Sequence, residues 1–511
     1  MTSKEILGIV AAVLLVSMAH ASPTLDTVGV TLLRATDPTL IGSGINVAQV
    51  EAPESSATPV PWQVNPAIVF HPTNLFTYIS ADGVASNYPN ALGTQSHHAN
   101  SVAWNFFGLE AGVAPGVAHV NNYEANYFYQ SIITAALPIQ ARIVNQSFIF
   151  ESTPPQQTVD SQYDNYAAQN NTLFVSGAGN SGPPSAPSTA YNGISVAAFG
   201  GSSSVGPTTD NGRSKPDITA PAGVTSFSAP LVAGGAGVLL QAGLRGDAGA
   251  GTTTTSTDAR TIKALLLNGA VKPSNWTHTA TSPLDTRFGS GVLNVFNSYK
   301  QLDAGKFPFV ESTTYFAGGA HPPGSHVGNV AARIGWDFNS LAGSLTQDRV
   351  NHYYFDLPSN TAQSFTLTAT LVWNRAFGQT GIKNLDLFLF NTANNTLVAS
   401  SISTVDNVEH LFVPSLPAGR YDLQVFRSAG LGSETYALAF EMFATRLNIA
   451  KSGPNIVVSW PVAPDGFRLQ ATENLDLPIS WTTVPHTFTT NENRAVISPT
   501  LSAQFFRLIR P

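Results

Sequence analysis

Short β-branched runs alternate with segments of helical periodicity across residues 42–300, and this alternation constrains the fold more than any other feature of the chain. Parallel strands need long crossover connections, which helices usually supply. The pattern therefore predicts a parallel α/β sheet that is covered by helices on both faces. Ligands of such sheets bind at the carboxyl ends of the strands. The predicted strands are residues 45–50, 118–120, 141–147, 172–176 and 193–198, and the predicted helices are residues 100–108, 159–169, 227–244 and 258–270.

The pattern changes beyond residue 307, where strand follows strand with turn signals between them. This arrangement is typical of an all-β sandwich. A further β-rich unit begins near residue 447. We therefore expect an α/β domain over residues 22–305, a β-sandwich over residues 306–445 and a small all-β domain over residues 446–511. The predicted sandwich strands are residues 352–357, 364–373, 384–390, 397–401, 409–413, 419–427 and 435–443.

Residues 1–21 have the composition of a signal peptide. Lys4 precedes an apolar stretch, residues 6–18, that is shorter than the roughly 20 residues a spanning helix needs. Ala19, His20 and Ala21 then form a small-x-small cleavage site. The sequence predicts a secreted protein, extracellular or in a bacterial cell envelope, and an uncleaved N-terminal anchor is the alternative. We expect no membrane span in the mature chain.

The composition excludes several classes of function. The chain has no cysteine, which excludes disulfides, thiolate nucleophiles and Cys-ligated metal sites. Charged residues make up 11% of the chain and the net charge is −7. With no cationic surface to attract phosphates or anionic lipids, a nucleic-acid partner is not expected.

Two segments of the predicted sheet offer an acid and a base. Glu51 ends the first predicted strand, where a carboxylate could orient an imidazole, although a solvated carboxylate at a strand end is the alternative. His98 is predicted to begin a helix of small residues, so that its ring would project from the N-terminal turn into the loop region. A lone histidine there is more often structural, and His98 becomes a candidate base only if a hydroxyl nucleophile lies within reach.

Two further segments offer an amide and a hydroxyl. Asn180 follows a buried strand in a glycine-rich turn, where asparagine is common for conformational reasons but where its amide could also donate to an oxyanion. Ser226 begins a long helix of small and apolar residues. It could be a plain N-cap, or a nucleophile whose developing charge the helix N-terminus stabilises.

The order of these four residues, with their surroundings, resembles the subtilisin-like (S8) serine peptidases. The resemblance is carried by the Ala-Gly-Asn turn at residues 178–180, by Gly-Val-Ala-Pro-Gly at residues 112–116 and by Thr-Ser-x-x-x-Pro-x-Val-Ala-Gly at residues 225–234. It implies a secreted endopeptidase that requires no cofactor, acts as a monomer and cleaves extracellular protein or peptide through an acyl-enzyme. The roles it implies are Ser226 as nucleophile, His98 as base, Glu51 as the group that orients His98, Asn180 as oxyanion donor, and Ser147, Ser176, Gly177 and Gly179 as substrate-binding residues.

The chain departs from the family pattern at several positions. Glu51 stands where the family has Asp, one methylene shorter, and Trp104 lies where the family has a small residue after the histidine. Phe148 and Ile149 add bulk after Ser147, which would hinder a peptide along that strand. Conventional self-processing is not expected, because no segment of propeptide size follows the predicted signal peptide. A non-catalytic binding or surface-display scaffold with the same fold is therefore the alternative function.

The β-sandwich resembles the pre-peptidase C-terminal or P-like modules that follow many secreted subtilases. Such modules sometimes bind calcium as a structural ion, and Asp386, Asp406 and Asp422 could supply oxygen ligands here. Solvated loop carboxylates are the alternative reading of these three residues. The sequence assigns no role to the last domain.

Overall fold

The computed structural model describes residues 23–314, 331–342, 349–358, 364–428, 432–444, 447–461, 468–473, 480–489, 492–498 and 504–509. The predicted signal peptide, residues 1–21, lies outside the described residues and stays a prediction.

The α/β domain is built around a parallel sheet. Its strands are β1 (Asn46–Glu51), β2 (Pro61–Gln63), β3 (Phe76–Ile79), β4 (Ala85–Ser86), β5 (Thr94–Gln95), β6 (His119–Glu124), β7 (Ile143–Gln146), β8 (Leu173–Gly177), β9 (Ile194–Phe199) and β10 (Ile218–Pro221). Eight of them form one sheet in the order β10-β9-β8-β7-β1-β6-β3-β4, in which only the β3–β4 pair is antiparallel. The remaining two, β2 and β5, pair with each other. Because β1 lies between β6 and β7, the chain order reverses beside β1, and a crevice is expected at that point of the carboxyl edge.

Helices cover both faces of this sheet. They are α1 (Pro23–Thr27), α2 (Val30–Thr36), α3 (His97–Phe106), α4 (Ala125–Tyr127), α5 (Gln156–Asn170), α6 (Thr225–Arg245), α7 (Thr253–Ser256), α8 (Ala259–Asn268) and α9 (Val295–Asp303), with a 3₁₀ turn at Thr73–Leu75 and a π-helical turn at Phe128–Ile133. The longest, α6, is apolar around its whole circumference because it is buried in the core. Within the described residues it alone is long and apolar enough to cross a membrane, and its burial identifies it as a core helix.

The second domain is a sandwich of two antiparallel sheets. Its strands are β11 (Glu311–Thr313), β12 (Ile334–Leu341), β13 (Val350–Leu357), β14 (Phe365–Trp373), β15 (Leu385–Asn391), β16 (Thr396–Ser401), β17 (Val408–Leu416), β18 (Gly419–Arg427) and β19 (Glu434–Ala444). One sheet has the order β11-β13-β18-β15-β16 and the other has the order β12-β19-β14-β17. Alternate residues of the facing strands, among them Leu367, Leu387 and Leu438, form a core between the sheets.

The sandwich is docked firmly against the α/β domain. Thr368 and Thr370 on β14 both donate to Asn268 Oδ1 at the end of α8, at 2.9 and 3.0 Å. Lys300 Nζ on α9 lies 2.6 Å from Glu441 Oε1 on β19. The apolar core of the α/β domain also continues onto Trp336 of the sandwich. A polar seam and a shared apolar core therefore hold the two domains together.

The last domain contains two small antiparallel sheets. Its strands are β20 (Asn448–Ser452), β21 (Asn455–Pro461), β22 (Arg468–Thr472), β23 (Thr482–Thr483), β24 (Thr487–Thr489), β25 (Glu492–Ile497) and β26 (Phe505–Ile509). The sheet orders are β20-β21-β25-β24 and β23-β22-β26. A small core around Trp460 and Leu469 holds them together.

The predicted fold class is confirmed, a parallel α/β sheet followed by all-β units. The prediction of the helix at residues 100–108 was wrong at its start, because Ser96 accepts a hydrogen bond from Ala99 N at 3.0 Å and starts α3 at His97. The strand predicted at residues 118–120 extends to Glu124. The sequence patterns missed several short elements, namely α1, α2, α9, β10 and β12.

Candidate active site

The four candidate catalytic residues and Ser147 lie at the carboxyl edge of the sheet, beside the position where the chain order reverses. Glu51 is the last residue of β1, and Ser147 directly follows β7. Asn180 lies in the turn after β8. His98 and Ser226 are each the second residue of a helix, α3 and α6. Two helix N-termini and three strand ends therefore contribute to one crevice.

Glu51 and His98 form a short hydrogen bond. His98 Nδ1 lies 2.8 Å from Glu51 Oε2, and Glu51 is 1% exposed whereas the His98 side chain is 32% exposed. A buried carboxylate that accepts from Nδ1 fixes the imidazole in the tautomer whose Nε2 is free to accept a proton. The additional methylene of glutamate therefore does not place its carboxylate out of reach of His98.

Two opposing effects set the pKa of His98. Burial lowers the pKa of the imidazole, but the hydrogen bond and charge of Glu51, with the charge of Glu54, outweigh it, so that the pKa of His98 is raised above its ordinary value. Glu54 lies at the N-terminus of α3, where the Ser96 hydroxyl and the amides of His97 and His98 lower the pKa of its carboxyl group. The imidazolium form of His98, which general-base catalysis produces, is thus favoured at this site.

Ser226 is tied to Ser147 through two hydrogen bonds. Ser147 Oγ donates to Ser226 O at 2.8 Å, and Ser226 Oγ donates to Ser147 O at 3.4 Å. Asn145 Nδ2 donates in turn to Ser147 Oγ at 3.0 Å. Ser226 is not the N-cap of α6, since Val224 occupies that position. The interpretation of Ser226 as a plain N-cap is therefore wrong. The strand that precedes Ser147, β7, lies between β1 and β8 and is a central strand of the sheet.

His98 approaches the start of α6 without a hydrogen bond to Ser226. Its ring centroid lies 6.0 Å from that of Phe227, the residue after Ser226. Among the hydrogen bonds of the described residues, the Ser226 hydroxyl bonds to Ser147 O, and none joins it to His98 Nε2. Catalytic hydrogen bonds are often loose in ligand-free structures and tighten when substrate binds. Rotation of the Ser226 side chain would direct the hydroxyl away from Ser147 O.

The amide of Asn180 is held by one atom only. Its Oδ1 accepts from Thr225 N and from Thr225 Oγ1, both at 2.9 Å. This pair of bonds orients the side chain, and within the described residues Nδ2 has no hydrogen-bond partner. Asn180 is exposed, so its Nδ2 is available to an oxyanion beside Ser226.

Three of the predicted substrate-binding residues, Gly177, Gly179 and Ser176, have different surroundings in the structure. Gly177 packs against Thr225, and a Cβ on Gly177 would lie 3.0 Å from Thr225 Oγ1. Gly179 has φ +105° and lies against Ser204, so only glycine fits there without strain. Ser176 is buried and donates to Gln146 Oε1 at 3.2 Å.

Two of the bulky residues that depart from the family pattern, Ile149 and Trp104, lie in different places. Ile149 is 41% exposed, and a Cβ on Gly179 would lie 3.9 Å from Ile149 Cγ2. It therefore narrows the crevice between the end of β7 and the turn after β8. Trp104 instead packs edge-on against Phe70, with ring centroids 5.8 Å apart, toward the other end of α3 from His98.

The three carboxylates considered for calcium bind protein donors. Asp406 accepts from Ser214 N and Ser214 Oγ, and Asp422 accepts from His352 Nδ1 at 2.8 Å. Asp386 accepts from Asn384 Nδ2 at 2.9 Å. The described part of the chain holds no group of three or more acidic, His or Cys side chains arranged for a metal ion. The three residues therefore do not fit a calcium site, and the calcium prediction gains no support.

One neighbour of the triad was missed in the sequence. Gln49, on β1, donates from Nε2 to Glu51 Oε1 at 2.7 Å and to Ala99 O at 2.9 Å. It is fully buried. The signal was a polar residue inside an otherwise buried strand, two positions before the candidate carboxylate.

Comparison with known proteins locates part of this site in a known family. Residues 84–291 match the model of the subtilase family (Peptidase_S8). The match includes His98, Asn180 and Ser226 and begins after Glu51. No curated protein matches the chain.

Several solved structures are similar to the α/β part of the chain. The self-cleaved protease domain of PatA is 22% identical over 52% of this chain and 98% of its own, with a TM-score of 0.33. The prenylagaramide maturation protease PagA is 20% identical over 54% of this chain and 99% of its own, with a TM-score of 0.38. A cold-adapted subtilisin-like serine proteinase is 17% identical over 50% of this chain and 90% of its own, with a TM-score of 0.33. All of these TM-scores are below 0.5, so the structural likeness carries no further argument.

Proposed function

We propose that this chain, whose residues 84–291 match the subtilase family model, is a secreted serine endopeptidase with a Ser-His-Glu triad. The observation that carries the proposal is the 2.8 Å hydrogen bond between Glu51 Oε2 and His98 Nδ1, on an imidazole that lies beside the start of α6. The substrate is an extracellular protein or peptide. Export is supported only by the composition of residues 1–21.

The proposed reaction is acyl transfer in two halves. Ser226 Oγ attacks the scissile carbonyl carbon while its proton moves to His98 Nε2, and Glu51 stabilises the resulting imidazolium through Nδ1. The carbonyl oxygen becomes an oxyanion that accepts from Asn180 Nδ2 and from a backbone N–H at the start of α6. His98 then protonates the leaving amine, which gives the acyl-enzyme. Water repeats the sequence, loses its proton to His98 and releases the carboxylate product and the Ser226 hydroxyl.

A second candidate is a non-catalytic scaffold with the subtilase fold. The observation that favours it is the Ser226 hydroxyl, which bonds to Ser147 O and not to His98. In this candidate the crevice, narrowed by Ile149, would hold a ligand without cleaving it. The two candidates differ in whether Ser226 reacts.

Labelling with a fluorophosphonate probe tests the proposal. Wild type is expected to be labelled and Ser226→Ala is not, because the phosphonate bond forms on Ser226 Oγ. Ser228→Ala is the matched control, since Ser228 lies one residue beyond Phe227 on α6 but donates to Ala220 O at 2.9 Å inside the core. Labelling that persists in folded Ser226→Ala, or no labelling of folded wild type, would overturn the peptidase. Mass spectrometry of a digested protein substrate, with internal cleavages expected, tests the endopeptidase assignment.

A further inference from the structure

We propose that Gln49 is a positioning residue of the triad, whose amide fixes the carboxylate of Glu51 and ties it to the helical turn that carries His98. This inference rests on the peptidase function proposed above. Nothing in the family match bears on it, because the match begins at residue 84.

Gln49 and Glu51 lie on the same face of β1. Side chains two residues apart on a strand point the same way, and both of these are buried. Gln49 Nε2 lies 2.7 Å from Glu51 Oε1 and 2.9 Å from Ala99 O. Ala99 follows His98 in α3, so a single NH₂ group links the carboxylate to the backbone beside its imidazole partner.

The chemistry of the two partners fixes the orientation of the amide. A carboxylate oxygen and a peptide carbonyl are both acceptors, so the NH₂ group has to face them and the amide oxygen has to face away. That oxygen, Gln49 Oε1, is buried and has no hydrogen-bond partner among the residues that the structure describes. An unpaired buried oxygen is unfavourable. It is tolerated here in a row of buried polar residues, since the neighbours of Gln49 across the sheet are Asn122 and Asn145. The two hydrogen bonds that the amide donates, to Glu51 Oε1 and Ala99 O, offset this cost.

Glu51 needs this second contact more than an aspartate would. Glutamate has one additional rotatable bond, so its carboxylate has more orientations to lose on ordering. His98 holds one carboxylate oxygen and Gln49 holds the other. With both oxygens held, the carboxylate cannot swing away from Nδ1, and the tautomer and orientation of the imidazole are preserved.

The test is Gln49→Met in the full chain, a change that keeps most of the side-chain volume and removes the donor. We expect a kcat per titrated active site about 10- to 100-fold lower, with KM nearly unchanged, because a hydrogen bond to a charged group is lost at a residue that does not touch substrate. Gln301→Met is the matched control. Gln301 is also fully buried and also donates from Nε2 to a glutamate, Glu441 Oε2 at 3.0 Å, but lies on α9 against the β-sandwich.

A double-mutant cycle tests whether Gln49 acts through Glu51. In the Glu51→Gln background, Gln49→Met is expected to cause no further loss in the rate of fluorophosphonate labelling. Equal losses in both backgrounds, or a kcat per active site that Gln49→Met leaves unchanged, would overturn the inference while labelled wild type leaves the peptidase standing. A loss of the same size in Gln301→Met would assign the effect to general destabilisation and overturn it too. If wild type is not labelled, the proposed peptidase function is overturned, and so is the inference about Gln49 that rests on it.

Discussion

Glu51→Gln is the substitution that tests the proposed triad most directly, because it changes one oxygen into an NH₂ group and leaves the shape of the side chain intact. In the structure, Glu51 accepts from His98 Nδ1 on one oxygen and from Gln49 Nε2 on the other. A glutamine at position 51 has to place its NH₂ group toward one of these two partners. The carbonyl oxygen then faces the other partner.

Gln49 decides which way the new amide turns. If the NH₂ group of residue 51 faced Gln49, two donors would meet at about the 2.7 Å that now separates donor from acceptor. Gln49 cannot relieve this conflict by flipping, because its oxygen would then face Ala99 O. The NH₂ group is therefore forced toward His98 Nδ1, which must become an acceptor and carry its proton on Nε2. The tautomer that results cannot accept the Ser226 proton.

With the imidazole in the wrong tautomer, kcat of Glu51→Gln is expected to fall about 10⁴-fold, which corresponds to a rise of about 5.5 kcal/mol in the activation free energy. Glu51→Asp keeps the charge and shortens the side chain, so a misplacement of about 1 Å predicts a smaller loss of about 10²-fold. Steady-state turnover of a peptide substrate, normalised to fluorophosphonate-titrated sites, measures both variants. Turnover within a few fold of wild type in Glu51→Gln would remove Glu51 from the mechanism, and equal losses in both variants would refute the tautomer argument.

Two other predictions concern the same site. Asn180→Ala should lower kcat by about 10²- to 10³-fold with little change in KM, because Thr225 holds Oδ1 and leaves Nδ2 to donate to the oxyanion. A rise in KM with kcat unchanged would assign Asn180 to ground-state binding instead. The acid limb of the pH profile of kcat/KM should lie above the ordinary pKa of histidine, because His98 must be neutral to act as base and its pKa is raised. In Glu51→Gln, the acid limb of the residual activity should move to lower pH. An acid limb that does not move would show that another group titrates there.

Much of the fold could be predicted because burial imposes its own pattern on the sequence. Strands buried on both faces, such as β8 and β9, read as short and mainly apolar runs. The elements that were missed lack such a signature. β10 is short, and its sequence includes Pro221. The periodic pattern of α3 begins only at residue 100, because the residues after its Ser96 cap, His97 and His98, have no apolar periodicity.

The site could be predicted only in part, because sequence places residues on elements and does not set distances between side chains. Ser226, His98 and Asn180 lie in local contexts whose backbone the motifs determine, and the structure places them at the same crevice. The bond between Ser147 and Ser226 could not be foreseen, since it joins residues 79 positions apart through a hydroxyl and a backbone carbonyl. The bond from Ser176 to Gln146 Oε1 could not be foreseen either, since it joins side chains on two different strands. The role of Ser176 in substrate binding stays a prediction.

Glu51 shows what kind of information was missing. A glutamate in the place of an aspartate keeps the carboxylate of the triad, but its longer side chain has more ways to miss the imidazole as long as residue 51 is considered alone. In the structure, Glu51 is paired with Gln49, which lies two residues earlier on β1. The amide of Gln49 holds the second carboxylate oxygen of the longer side chain. A reversion of Glu51 to the family's aspartate is therefore not expected to restore the family's geometry here. The shorter carboxylate would draw back from both His98 Nδ1 and Gln49 Nε2, and it would leave the Gln49 NH₂ group buried with one acceptor, Ala99 O, in place of two. Glutamate and glutamine on β1 are thus best understood as a pair, in which the amide of Gln49 positions the carboxylate of Glu51 and that carboxylate supplies the amide with an acceptor.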